Sequence, residues 1–90
     1  MKYIFLIFFS LLLYPVQAKV RGVVKDSAGE PLPGANVAWV NTKIFTVTAE
    51  DGSFSVDKPK DSETLVISYI GFENDTIHVD SENVKLEIVL

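Results

Sequence analysis

The sequence predicts an all-β domain, a seven-stranded Greek-key sandwich preceded by a signal peptide, and three observations carry the β prediction. From Val20 onward, short runs rich in Val, Ile, Thr and aromatic residues alternate in polarity with a period of two. Clusters of Gly, Pro, Asp, Asn and Ser interrupt these runs at intervals of about ten residues, the spacing of a small sandwich. No long stretch carries the period of an amphipathic helix. A barrel of about five or six strands is the alternative closure of the same elements.

The first strand is expected over Val20 to Lys25, with Val20, Gly22 and Val24 on one face and Arg21, Val23 and Lys25 on the other. The loop from Asp26 to Gly34 ends it, because Pro31, Pro33, Gly29 and Gly34 forbid a continuing ladder. Ala35, Val37 and Trp39 mark the second strand, and Ile44 to Ala49 the third, with the polar corner Asn41-Thr42-Lys43 between them. Glu50-Asp51-Gly52-Ser53 reads as a tight turn, since Gly52 supplies positive φ, and Phe54 and Val56 alternate with Ser53, Ser55 and Asp57 beyond it. The third and fourth strands are therefore expected to pair as a hairpin. Thr64 to Ile70 is apolar on both faces, as a central strand covered on both sides would be. Thr76 to Val79 and Val84 to Leu90 complete the set, the last with Val84, Leu86, Ile88 and Leu90 inward.

The domain is expected over residues 19–90. Residues 1–18, MKYIFLIFFSLLLYPVQA, carry a lone Lys2, an apolar run from Ile4 to Tyr14, and Val16 and Ala18 before the expected cleavage point. That is the pattern of a secretory signal peptide. The run is shorter than the roughly 20 residues a membrane-spanning helix needs. Export from the cytoplasm follows.

The 72 residues after Ala18 carry seven Lys and Arg against twelve Asp and Glu, a net charge of −5. Nucleic acid and anionic membrane surfaces both demand clustered positive charge and are disfavoured as partners. The sequence contains no cysteine, so packing has to supply the stability that disulfides give many small exported domains.

No catalytic, cofactor-binding or metal site is expected. His78 is the sole histidine and sits between Ile77 and Val79 on a predicted strand, with no cysteine or second imidazole to complete a zinc site. It reads as an outward-facing strand residue. A serine triad would have to use this same His78, and no Gly-x-Ser-x-Gly elbow is present. Glu50, Asp51 and Asp57 flank a glycine turn but lack the spacing of a calcium loop. Trp39, Tyr69 and Phe72 could stack on a sugar, yet aromatics in a small sandwich are chiefly core residues.

Four blocks occur in order: Val20-x-Gly22-x-Val24-x-Asp26; Gly29-Glu30-Pro31-Leu32-Pro33-Gly34-Ala35-Asn36-Val37; Thr46-x-Thr48-x-x-Asp51-Gly52-x-Phe54; and Leu65-x-x-Ser68-Tyr69-Ile70-Gly71-Phe72. Together they resemble a carboxypeptidase-regulatory-like domain over about residues 19–90. The chain departs from that family's pattern at Phe45, where Gly is common, and at Ala49, where Asp is common.

The resemblance implies a transthyretin-like sandwich and a non-catalytic interaction or structural module of the cell envelope. Such domains often stand at the N-terminus of Bacteroidetes TonB-dependent outer-membrane receptors, which implies secretion across the inner membrane to the periplasm or the periplasmic side of the outer membrane, and a following receptor barrel or an envelope protein as partner. An accessory domain of an exported peptidase or other secreted enzyme, or a stand-alone periplasmic binding module, is the alternative. Asp26-Ser27-Ala28 and Asp75-Thr76-Ile77 also resemble the O-glycosylation signal of such bacteria, with Ser27 the better placed of the two in its loop.

Overall fold

A computed structural model describes residues 18–82 and 84–90. The expected signal peptide, Ala18 apart, lies outside the described residues. Among the described residues seven strands form: β1 (Lys19–Lys25), β2 (Asn36–Trp39), β3 (Phe45–Val47), β4 (Ser53–Asp57), β5 (Thr64–Ser68), β6 (Asp75–His78) and β7 (Lys85–Val89). They make two sheets, one ordered β4-β1-β7 and the other β3-β2-β5-β6, so the chain is a sandwich and not a barrel. Four of the six connections change sheets, and only β2–β3 and β5–β6 join neighbours in one sheet. No helix among the described residues is long and apolar enough to cross a membrane.

The period-two pattern sets the core. Val20 and Val24 of β1, Val37 and Trp39 of β2, Phe54 and Val56 of β4, Leu65 and Ile67 of β5, and Ile88 of β7 are buried between the sheets, joined by Leu32, Ala35 and Val79 from the loops. Gly22 belongs to the same inward face and is needed there for space. It pairs with Phe54 on one side and Leu86 on the other, and a Cβ would lie 2.8 Å from the Phe54 ring and 2.7 Å from the Leu86 carbonyl oxygen.

The structure departs from the sequence reading in three places. First, β3 and β4 are not a laddered hairpin, because they belong to different sheets. The turn itself is formed: Gly52 N donates to Ala49 O at 2.8 Å and Ala49 N to Ser53 O at 2.9 Å. Beyond it the strands diverge, because β4 pairs with β1 over Val20↔Val56 and Gly22↔Phe54, while β3 pairs with β2 over Val37↔Thr46. Second, β3 keeps only Phe45–Val47 of the expected Ile44 to Ala49, since Thr48 leaves the ladder to bind the proline loop.

Third, β5 is central in its sheet but covered on one side. Leu65 and Ile67 are buried, whereas Thr64, Val66 and Ser68 on the other face are half-buried. Val66 is screened laterally by Ala38 and Thr76, its partners on either side, and no layer packs over it among the described residues. The strand ends at Ser68, and Ile70, at 95% exposure, lies in the following turn.

One pairing was not legible at all: β1 and β7 run parallel, with Gly22 opposite Leu86 and Val24 opposite Ile88. The chain ends of the two strands are also joined, Leu90 N donating to Lys25 O at 2.8 Å.

Candidate functional site

The loops gather at two ends of the sandwich. One end holds the proline loop, the Ala49–Ser53 turn, the turn after β5, and Leu90. Asp26 organises the loop's first half, its Oδ1 accepting from Ala28 N and Glu30 N at 2.9 Å each. Thr48 organises the second half. Its hydroxyl donates to Leu32 O at 2.5 Å and accepts from Ala35 N at 2.9 Å, and its backbone exchanges bonds with Gly34 N and Ala35 O. Thr48 is buried, the sole buried polar residue among those described, and it replaces with one side chain the ladder that two prolines deny this segment.

The expected candidates distribute as follows. Trp39 is core, 1% exposed, with its Nε1 donating to Asp57 O at 2.7 Å and the Lys58 ammonium 5.4 Å from its ring centroid. Tyr69 and Phe72 do pack on each other, with ring centroids 5.8 Å apart, but beside the turn after β5 at the opposite end of the sheet from Trp39. The three aromatics form no common platform. Asp51 accepts from Ser53 N at 3.0 Å and from Ser53 Oγ at 2.6 Å. These two bonds, the hydroxyl's foremost, hold the Asp51 carboxyl below the ordinary aspartate value. Asp57 lies at the far end of β4, roughly 15 Å or more along the strand, paired with Lys19 at 3.0 Å. Glu50, Asp51 and Asp57 are therefore not brought together as a cation site. Ser27 is exposed in its loop, and Thr76 is exposed on β6 and paired in register with Val66.

His78 does face outward, yet it is not alone. At the end of the sandwich opposite the proline loop, its Nε2 lies 4.0 Å from Glu63 Oε2 and 4.0 Å from Asp80 Oδ2. One donor atom from each of the three lies within 4.8 Å of the other two, and all three residues are exposed. The placement is fixed by the β5–β6 pair: Thr64 stands opposite His78, and Val79 N donates to Glu63 O at 2.7 Å. The sequence reading missed this trio because it sought cysteine and histidine partners. The signal available was the acidic residue flanking each end of the two strands, Glu63 before β5 and Asp80 after β6.

The model of the CarboxypepD_reg-like domain family matches residues 20–90, which is nearly the whole described chain. The chain belongs to this family. The chain is 37% identical over 76 residues to the TonB-dependent receptor SusC of Bacteroides thetaiotaomicron, a match covering 84% of the chain and 8% of that receptor. It is 40% identical over 68 residues to the TonB-dependent receptor P39 of Formosa agariphila, covering 76% of the chain and 7% of that protein. The chain thus spans under a tenth of the length of either receptor. Among solved structures, it superposes with a TM-score of 0.65 on a chain of a type II cohesin–X-dockerin complex from Acetivibrio cellulolyticus, at 21% identity over 80% of this chain and 56% of that one. At that identity the likeness concerns the sandwich alone. This CarboxypepD_reg-like domain is therefore homologous to a segment of TonB-dependent receptors, and its fold is the all-β sandwich that family membership implied.

Proposed function

We propose that this domain is a non-catalytic module on the periplasmic side of the outer membrane, the N-terminal domain of a TonB-dependent receptor, where it contacts the receptor or an envelope protein. The observation that carries the reading is the pair of receptor matches, each extending over three quarters or more of the chain. The surface supports it. Phe45 and Val47 of edge strand β3 are 62% and 52% exposed, on the same uncovered face as Ala38 and Val66, and Ile70 projects from the turn after β5. Such apolar side chains suit contact with protein more than catalysis.

The test joins sequence and location. The reading frame is followed past the codon for Leu90, and a tag placed in the exposed Asp26–Glu30 loop is probed with protease in intact and in outer-membrane-permeabilised cells. Plug and barrel sequence, with cleavage only after permeabilisation, is the expected result. A downstream peptidase catalytic domain, or a cytoplasmic tag, overturns the proposal.

A further inference from the structure

Glu63, His78 and Asp80 bring one imidazole nitrogen and two carboxylate oxygens within 4.8 Å of one another at the exposed surface. An imidazole ligates a metal in its neutral form. The trio then carries two negative charges at close range, and no Lys or Arg among the described residues pairs with either carboxylate. Lys58 and Lys60 line the same shallow cleft as Asp80, yet neither reaches it. The Lys58 ammonium is held instead by the carbonyls of Pro59 and Ser62, at 3.3 Å each. Among the described residues, only His78 stands within ion-pair distance of either carboxylate.

We infer that Glu63, His78 and Asp80 form a surface site for a divalent first-row transition-metal ion, with Zn²⁺ as its representative. Zinc with nitrogen and oxygen donors at about 2.1 Å separates neighbouring donors by roughly 3.0 to 3.5 Å. The observed 4.0 Å separations from Nε2 close to that range by rotations of exposed side chains. The β5–β6 register and the Val79–Glu63 bond hold the backbone at Glu63 and His78, and Asp80 follows Val79 directly. A nitrogen donor beside two carboxylates favours Zn²⁺, Ni²⁺ or Cu²⁺ over Mg²⁺ and Ca²⁺, which prefer all-oxygen shells. Three protein donors leave at least one position for water or for a donor from a bound partner. The inference rests on local geometry and stands independently of the receptor reading.

The experiment uses the 90-residue chain without a polyhistidine tag. Because His78 is the sole histidine, one set of imidazole proton signals reports on it directly. Zn²⁺ is titrated by calorimetry and by NMR in a non-chelating buffer. The expected result is one ion per chain with a shift or broadening of the His78 imidazole signals, affinity lowered about tenfold or more in Glu63→Gln or Asp80→Asn, and no specific binding in His78→Ala. All three positions are exposed, and an unchanged amide spectrum confirms folding in each variant. Absent binding, several weak equivalents per chain, binding retained in His78→Ala, or an equal response to Ca²⁺ would each overturn the inference.

Discussion

The indole Nε1 of Trp39 donates a 2.7 Å hydrogen bond to the carbonyl of Asp57, tying the last residue of β2 in one sheet to the last residue of β4 in the other. The bond satisfies the one polar atom of an otherwise apolar, buried side chain. Trp39→Ala removes both the ring and the tie, and a cost of ~3 to 5 kcal/mol is expected. Trp39→Phe keeps most of the apolar contact and loses the tie, so it should fall well short of that cost. Urea denaturation checks both, and a midpoint unchanged in Trp39→Ala would contradict a core role.

Thr48→Val preserves shape but leaves Leu32 O without its donor and Ala35 N without its acceptor. Burial makes each loss expensive, and about 2 to 3 kcal/mol of destabilisation is expected. Thr48→Ser retains the hydroxyl and should cost only about 1 kcal/mol for the missing methyl. Equal midpoints for the two variants would show that the hydroxyl does not hold the proline loop.

Gly52 and Gly29 share nearly the same backbone conformation, with φ of 80° and 82°. A Cβ on Gly52 would meet Val24 O at 2.5 Å, whereas one on Gly29 meets nothing within 4 Å. Gly29→Ala should therefore cost only the ~1 to 2 kcal/mol of left-handed strain. Gly52→Ala should cost clearly more, because the turn would have to part from β1. Denaturation midpoints measured side by side isolate the contact from the strain.

The Asp51 carboxyl titrates below the ordinary aspartate value because Ser53 donates to its charged form. The folded value is the lower one, so the stabilisation is present above the unfolded value and is lost as pH falls through the folded value. Carbon-13 NMR of the carboxyl should show the lowered midpoint, and Ser53→Ala should move it back towards ordinary aspartate. A midpoint indifferent to that substitution would contradict the assignment.

Strand positions were open to reading because their causes are local. Alternation places Val20, Gly22 and Val24 on one face whatever lies beyond, and Asp51-Gly52 bends the chain whatever its neighbours do. All seven strands accordingly fall where expected, with ends shifted by a few residues, and Trp39 is core as its strand face implied.

The sequence by itself determined an all-β domain, its strand order along the chain and its inward faces, since period, turn chemistry and apolar content act over a few residues. Tertiary structure alone decided which strands meet. The Gly52 turn is compatible with a laddered hairpin or with a crossing between sheets, and the choice fell to β1, whose Gly22 leaves room for the Phe54 ring on β4. The parallel seating of β7 beside β1 joins strands separated by most of the domain, so no local pattern encodes it. The meeting of Glu63 with His78 and Asp80 has the same origin. It depends on the β5–β6 register, and a one-residue slip would turn His78 to the other face of the sheet.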